Sequence, residues 1–291
     1  MPVKDRNQSA QVLHVHERFF LIDCGEGTQG QFVRFGIPMM KLDAVFLSHI
    51  HGDHIFGIFG LLSTLGMKGR TAPLYIYAPA SFGPVLKFFL SYYGDGLAFE
   101  PVFVPLRMKE PACVFESKTL EILAFPLDHG IDTFGFLFRE KEPLWNVRKE
   151  AIAEYGLTLT EIGTLKRGED VVRADRTIRN ADAAYKPFVP RSYAYCSDTA
   201  PFPEEAEWLK GVDLLYHEAT YLQELADQAA QRHHSTAMQA AQVARDAGAG
   251  KLVVAHFSSR CRDAARYEEE CRSVFPESYA GGDGDVFEIG K

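Results

Sequence analysis

Hydrophobic and polar positions in this chain alternate with the two-residue period of strands in some segments and form longer apolar runs in others. The segments that predict strands in the first half lie at 11–16, 19–23, 44–47, 74–79, 99–106, 113–115, 120–125 and 134–138. Apolar stretches at 55–67 and 85–93 predict helices that cover a sheet. This mixture predicts two sheets packed between helices.

The second half adds strands, a helix and a long charged segment. Strands are predicted at 211–220 and 251–256, and a helix is predicted at 237–247. Ser235 or Thr236 would cap that helix, and Gly248 would end it. Residues 139–190 are rich in Lys and Arg and carry few strand signals. A long insertion between strands is more often functional than idle, so we interpret it as an inserted arm.

Composition narrows the class of protein. The chain has 291 residues, of which 46% are hydrophobic and 24% charged, enough to bury a large core. No apolar run approaches the roughly 20 residues that cross a bilayer, and no signal-like segment opens the chain. Five scattered cysteines indicate reduced thiols and a cytoplasmic location. The net charge of −8 does not favour broad nucleic-acid binding, so any basic docking surface must be local.

Three histidines and one aspartate lie within six residues directly after the buried strand predicted at 44–47. His49 and His51 are one residue apart on an extended backbone, so they point the same way and can hold one metal ion. Asp53 and His54 follow Gly52, where the backbone can turn, so they face a second position. Imidazole and carboxylate ligands favour zinc, with manganese or iron as alternatives. The competing interpretation is a surface loop that happens to be rich in histidine.

The segment His49-Ile50-His51-Gly52-Asp53-His54 resembles the signature of the metallo-β-lactamase fold superfamily. The resemblance implies an α/β fold, a four-layer αββα sandwich over residues 1–291 with 139–190 inserted as an arm. It also implies further ligands at strand ends, for which the chain offers His129, Asp198 and His256. On this resemblance His49, His51 and His129 would hold one metal, Asp53, His54 and His256 the other, and Asp198 would bridge the two.

Four shorter segments are similar to ribonuclease Z, the endonuclease family that trims tRNA precursors at their 3′ ends. They are Pro2 to Asn7 (P-x-K-x-R-N), Asp23 to Gln29 (D-x-G-E-G-T-Q), His217 to Thr220 (H-E-A-T) and His234 to Thr236 (H-S-T). Gly25 and Gly27 would allow close backbone approach beneath the metal site, and Asp23 would hydrogen-bond a ligand imidazole. The family's first strand, with its Gly-rich turn, is absent, so the chain is expected to begin late relative to the family.

Residues 157–169 end in the L-K-x-G-E pattern of the ribonuclease Z arm that grips the tRNA elbow. The Gly-Pro-rich turn usual before that pattern is missing here. On the resemblance of the L-K-x-G-E pattern, the arm is expected to bind tRNA through its basic residues. The alternative interpretation is a solvent-exposed helical insertion without a binding role.

The resemblance implies a zinc-dependent endoribonuclease that removes the 3′ trailer of tRNA precursors, using two Zn²⁺ ions or another divalent metal such as Mn²⁺. Asp53 would orient the attacking water, His234 would protonate the leaving oxygen, and Glu218 would orient His234. The substrate would be bound by Lys4, Arg6 and Arg260. The resemblance further implies a homodimer without membrane contact. Two other functions remain open: a hydrolase of the same fold acting on small phosphodiesters or sulfate esters, and a tRNA-binding protein without catalysis.

Overall fold

The computed structural model describes residues 6–260 and 263–290, and this part of the chain contains two large β-sheets that face each other and two small two-stranded sheets. The strands of the five-stranded first sheet are β1 (Gln11–Val15), β2 (Arg18–Ile22), β3 (Leu42–Phe46), β4 (Leu74–Pro79) and β5 (Pro101–Leu106). β1 and β2 form an antiparallel hairpin, and β2 to β5 run parallel. Because parallel strands end at the same edge, the loops after β2 and β3 lie side by side.

The second sheet has seven strands in the order β16-β15-β14-β13-β8-β7-β6. The strands from β6 onward are β6 (Ala112–Glu116), β7 (Leu120–Asp128), β8 (Asp132–Glu140), β9 (Asn146–Val147), β10 (Val171–Val172), β11 (Thr177–Ile178), β12 (Ala184–Tyr185), β13 (Ser192–Cys196), β14 (Leu214–Glu218), β15 (Lys251–Ala255) and β16 (Ser278–Ala280). β13 to β16 run parallel, so their carboxyl ends also meet at one edge.

Helices cover the outer faces of both sheets and also form part of the segment between β8 and β13. They are α1 (Thr28–Arg34), α2 (Gly52–Ile55), α3 (Gly57–Met67), α4 (Phe82–Tyr93), α5 (Lys149–Tyr155), α6 (Leu159–Lys166), α7 (Asn180–Ala183), α8 (Glu205–Trp208), α9 (Ala226–Gln231), α10 (Ala237–Ala247) and α11 (Ala265–Arg272). Within the described ranges, no helix combines the length and the hydrophobicity needed to cross a bilayer.

The period-two pattern of the strands divides the core into layers. In the first sheet Leu21 and Val45 pack toward α3 and α4, while Phe20 and Phe46 point into the space between the sheets. On its outer side the second sheet packs against the small-residue face of α10 and against α11. The predicted four-layer αββα sandwich is confirmed.

Several element boundaries differ from those that the sequence predicted. The hairpin turn falls at His16 and Glu17 rather than at Glu17 and Arg18, because Arg18 pairs with Val15 in the ladder. The helix predicted at 55–67 is two helices that meet at Phe56. The helix predicted at 237–247 is confirmed, and its N-cap is Thr236 in a reciprocal capping box with Gln239.

Residues 141–191, here called the arm, leave the second sheet between β8 and β13 and fold around a small core of their own. The β9–β12 pair forms the base of the arm. At the neck, the Arg191 guanidinium donates to the Glu140 carboxylate at 2.7 and 2.9 Å. The predicted boundaries of 139–190 are shifted because β8 continues through Glu140.

Most basic side chains of the arm face acidic partners. The pairs are Arg167–Glu169, Arg173–Glu161, Arg176–Asp175, Arg179–Asp182 and Lys186–Glu142. No ion-pair partner lies near Lys149 or Lys166 in the described part of the chain, and the Arg148 guanidinium lies over the Tyr185 ring. The cations free to meet an external anion are therefore few.

Candidate metal centre

Asp23, the residue directly after β2, organises the loop that follows β3. Its carboxylate accepts hydrogen bonds from the Ser48 backbone N–H at 2.7 Å, from the Tyr195 hydroxyl at 2.6 Å and from His54 Nδ1 at 2.7 Å. Because Nδ1 of His54 donates to Asp23, Nε2 of that ring carries no proton in the neutral imidazole and can bind a metal. The predicted hydrogen bond from an imidazole of the cluster to Asp23 is present at His54, whose role as a metal ligand stays a prediction.

The two glycines after Asp23 are needed for different reasons. A Cβ on Gly25 would lie 2.4 Å from the Asp53 carbonyl oxygen, so the close backbone approach predicted there is confirmed. Gly27 has open space around it but a φ of +84° at the start of α1, a conformation that L side chains rarely adopt. Close approach was the wrong reason for Gly27.

One group of ligand atoms comprises His49, His51, His129 and Asp198. Nδ1 of His51 lies 3.0 Å from Nε2 of His49 and 3.4 Å from Nε2 of His129. Oδ2 of Asp198 lies 3.7 Å from Nε2 of His49 and 3.5 Å from Nε2 of His129. Imidazole nitrogens and a carboxylate oxygen that converge at these distances can share one cation.

A second group comprises Asp53, His54 and His256. Nε2 of His256 lies 3.9 Å from Oδ2 of Asp53. The Asp198 carboxylate reaches this group as well, with Oδ2 3.7 Å from Nε2 of His54 and Oδ1 3.3 Å from Nδ1 of His256. The structure thus brings together all seven residues for which the sequence predicted metal binding, with Asp198 between the two groups.

The hydrogen bonding and charge of these side chains fit a divalent metal. Nε2 of His54 and Oδ1 of Asp198 are buried without a hydrogen-bond partner among the described residues, a costly state that a bound cation would relieve. Burial raises the pKa of Asp198, but His256, His54 and His49 outweigh it and hold the pKa well below its usual range. Burial, with the charge of His54, lowers the pKa of His49 far below that of free histidine. An ionised carboxylate and a neutral imidazole are the forms that bind metal.

Beside the metal centre, the H-E-A-T and H-S-T loops meet through Glu218 and His234. The buried Glu218 carboxylate accepts from His234 Nδ1 at 2.7 Å and from the backbone N–H groups of Ser235 at 3.0 Å, Thr199 at 3.2 Å and Thr220 at 2.7 Å. Burial lowers the pKa of His234, but the hydrogen bond and charge of Glu218 outweigh it and raise the pKa above that of free histidine. Glu218 therefore fixes the orientation of the His234 imidazole and favours its protonated form.

His217 is hydrogen-bonded next to this pair on its buried side. Its Nδ1 donates to the Glu218 carbonyl oxygen at 2.7 Å, and its Nε2 faces the buried Glu205 carboxylate at 3.1 Å. His217 thus fixes the backbone from which the Glu218 side chain projects. His234 also lies close enough to Asp198 and His256 to form a further possible ligand group.

Comparisons with known families and structures find proteins of the same fold. The family profile described as "Anti-Pycsar protein Apyc1" matches residues 3–135, and that described as "Beta-lactamase superfamily domain" matches residues 188–257. The short form of human tRNase Z is similar with a TM-score of 0.73 and 24% identity, over 100% of this chain and 95% of that one. The metallo-β-lactamase fold protein YhfI from Bacillus subtilis is similar with a TM-score of 0.68 and 20% identity, over 99% and 94% of the two chains. These likenesses show the shared fold.

Relatives named Ribonuclease Z are similar over almost the whole chain. The protein from Cytophaga hutchinsonii is 40% identical over 290 residues, which cover 99% of this chain and 92% of the relative. The protein from Bacteroides thetaiotaomicron is 37% identical over 279 residues, covering 96% and 88%. The chain belongs to the ribonuclease Z family. Membership makes it a hydrolytic endoribonuclease, and its His and Asp clusters give it a site suited to divalent metal ions.

Three basic residues were expected to contact the substrate, and they differ in exposure and in hydrogen bonding. The Arg6 guanidinium donates to the carbonyl oxygens of Phe257 at 3.1 Å and Ser258 at 3.0 Å, which ties the chain start to the loop after His256. Arg260 is exposed at the end of that loop. Lys4 lies outside the described residues. Substrate binding by these three side chains stays a prediction.

Two features near the site were missed from the sequence. Arg232 is exposed, lines a cavity of about 1550 Å³ together with His234 and His256, and has no ion-pair partner in the described ranges. The signal available in the sequence was a basic residue two positions before H-S-T. His233 is about half exposed, its side chain contacts Asp128, and its carbonyl oxygen contacts His129.

Proposed function

We propose that this chain is a zinc-dependent endoribonuclease that removes the 3′ trailer of tRNA precursors. The observation that carries the proposal is the Glu218–His234 pair, a proton donor held beside two converging groups of metal-binding side chains. A site that only bound RNA would need neither. Identity of 37–40% to proteins named Ribonuclease Z supports the same substrate class.

Two Zn²⁺ ions are the cofactors we propose. One would be held by His49, His51 and His129, the other by Asp53, His54 and His256, with Asp198 shared. Bound there, divalent ions supply Lewis-acid neutralisation of phosphate charge and lower the pKa of a nearby water. The nitrogen-rich donor set favours zinc over magnesium or calcium.

The side chains divide the work of hydrolysis. Asp53, whose carboxylate is partly exposed, accepts a hydrogen bond from the attacking water and orients it. The water oxygen bonds to phosphorus and releases one proton to solvent, and the bond from phosphorus to the 3′ oxygen breaks. His234 gives its proton to that leaving oxygen, and Glu218 keeps the imidazole in the orientation and tautomer that allow the transfer. The products are a tRNA with a free 3′ hydroxyl and a trailer with a 5′ phosphate.

Contacts with the rest of the tRNA would come from a few unpaired cations. Arg232 lines the cavity at the site, and Lys149, Lys166 and Arg148 project from the arm. Lys4, Arg6 and Arg260 remain candidates for phosphate contacts near the scissile bond. Such contacts make binding salt-dependent. A cytoplasmic homodimer is part of the same proposal.

Cleavage of a labelled tRNA precursor, compared with hydrolysis of bis-p-nitrophenyl phosphate, tests the substrate. We expect far more efficient cleavage of the precursor, with loss of both activities on chelation and recovery with Zn²⁺. Hydrolysis of the small diester with an intact precursor would favour a small-molecule phosphodiesterase. Binding of the precursor without cleavage at saturating metal would favour an RNA-binding protein.

A further inference from the structure

His233 occupies a backbone conformation that its side chain does not favour. Its φ is +52°, in the left-handed region where a residue with a Cβ is uncommon and costs free energy. Its carbonyl oxygen accepts a hydrogen bond from Nδ1 of His129 at 2.8 Å. A carbonyl in that position sets the ring orientation of a metal-binding imidazole and leaves Nε2 free to bind. The strained conformation therefore coincides with a contact to the metal centre.

The His233 side chain makes a second contact that holds this conformation. Nδ1 of His233 donates to Oδ1 of Asp128 at 2.8 Å. Asp128 ends β7, immediately before His129, and is itself tied to the loop that carries Asp198: its N–H donates to Thr199 Oγ1 at 3.0 Å, and its carbonyl oxygen accepts from the Ala200 N–H at 2.8 Å. One side-chain pair thus joins the loops of His129, Asp198 and His234.

We infer that the His233–Asp128 pair is a latch that positions His129, and with it the first metal group, relative to the proton donor His234. The inference rests on the proposed function. Neither side chain of the latch touches the reacting atoms, so both are positioning residues.

Exposure separates this role from a purely structural one. The two side chains are 48% and 51% exposed, and hydrogen-bonded pairs at such exposure contribute little to global stability. Loss of the latch should therefore leave the melting temperature almost unchanged. Loss of an outer contact to a metal-binding histidine, by contrast, typically weakens metal binding or activity by about 10- to 100-fold.

The test uses His233→Ala, Asp128→Ala and the double variant in the full chain. We expect each single variant to bind Zn²⁺ about 10-fold more weakly in competition with a chromophoric chelator. At saturating Zn²⁺, kcat on a tRNA precursor should fall by a similar factor while KM stays the same. The double variant should be no worse than the worse single one, since groups acting as a unit are non-additive.

Two further variants separate the latch from general disturbance. His233→Asn keeps an N–H donor and tolerates a positive φ, so it should recover most of the zinc affinity. Glu121→Ala is the matched control, because it breaks another exposed pair on the same strand, with Arg139 at 3.1 Å, and should change nothing.

Unchanged zinc affinity and kcat in His233→Ala would overturn the inference. So would losses that multiply in the double variant, or a loss in His233→Asn as large as in His233→Ala. Zinc affinity is measured without RNA, so it judges the latch even if the precursor is not cleaved and the proposed function fails.

Discussion

The pairing of His234 with Glu218 gives the sharpest prediction about chemistry. His234→Ala removes the proposed proton donor, while the groups assigned to metal binding keep all their atoms. We expect full metal content and a cleavage rate about 100-fold lower, the usual scale of general acid catalysis. At about 1.36 kcal/mol per tenfold change in rate, this corresponds to about 2.7 kcal/mol of transition-state stabilisation.

The partner should be changed to glutamine rather than alanine. Glu218 accepts three backbone N–H groups, and alanine would leave these buried donors unpaired, at a cost of about 1–3 kcal/mol each. Glu218→Gln keeps the volume and one acceptor oxygen but removes the charge that orients His234. Two independent 100-fold losses would multiply to about 10⁴-fold, whereas a coupled pair should lose little more than the worse single variant.

Single-turnover cleavage of a labelled tRNA precursor measures the rates, and emission spectroscopy measures bound metal. The pH dependence of the cleavage rate tests the same pair of side chains. Glu218 raises the pKa of His234, and the acid acts in its protonated form, so the rate should fall as pH rises through that pKa. In Glu218→Gln the alkaline limb should move to lower pH. Loss of a metal in His234→Ala would make His234 a metal ligand instead, and losses that multiply would show that His234 and Glu218 act independently.

Three further predictions concern the shared ligand, the arm and its neck. Asp198→Ala should lower metal content and activity more than any single histidine variant, since its carboxylate faces both groups; a milder effect than His49→Ala, measured by emission spectroscopy, would contradict this. Replacing residues 148–183 by Asn-Gly would close the β9–β12 pair as a hairpin. This variant should cleave the precursor more slowly and with less dependence on salt, but should hydrolyse bis-p-nitrophenyl phosphate at the normal rate. An equal loss of activity on both substrates would mean that the arm is structural. Glu140→Gln should lower the free energy of unfolding by about 2 kcal/mol. Burial raises the pKa of Glu140, but the contacts with Arg191 outweigh burial and lower the pKa. The stabilisation is therefore present at neutral pH and is lost as pH falls through the lowered pKa. Urea unfolding of the wild type at pH 7 and in acid measures this loss, and equal stability at both pH values would contradict the reasoning.

The residues expected to bind metal could be picked out because each follows a strand, and strand ends are visible in the local pattern of the sequence. Asp198, His129 and His256 lie far apart along the chain, yet parallel strands and a shared edge bring them together. The helix capped by Thr236 and ended by Gly248 was predictable for the same reason, since both signals are local.

Features that depend on distant contacts were not predictable. The apolar run 55–67 does not show where the helix breaks. The break occurs at Phe56 because the Gly57 N–H donates to the Cys24 carbonyl oxygen and not to a carbonyl of the preceding helical turn. The two segments pack so closely there that a Cβ on Gly57 would lie 2.0 Å from the Gly25 carbonyl oxygen. At the base of the arm, two strands of two residues each pair across a long insertion. Strands of this length are too short to leave a pattern in the sequence. The role of His233 depends on a positive φ and on Asp128, and neither appears in the sequence around it.

Hydrolysis of a tRNA precursor in oxygen-18 water tests the central claim most directly. Mass spectrometry of both products at saturating Zn²⁺ should find one heavy oxygen in the 5′ phosphate of the released trailer and a 3′ hydroxyl on the tRNA, with neither product formed by Asp198→Ala. An intact precursor at saturating metal would contradict the account. So would a tRNA ending in a 2′,3′-cyclic phosphate, because the attacking oxygen would then come from the RNA and not from water.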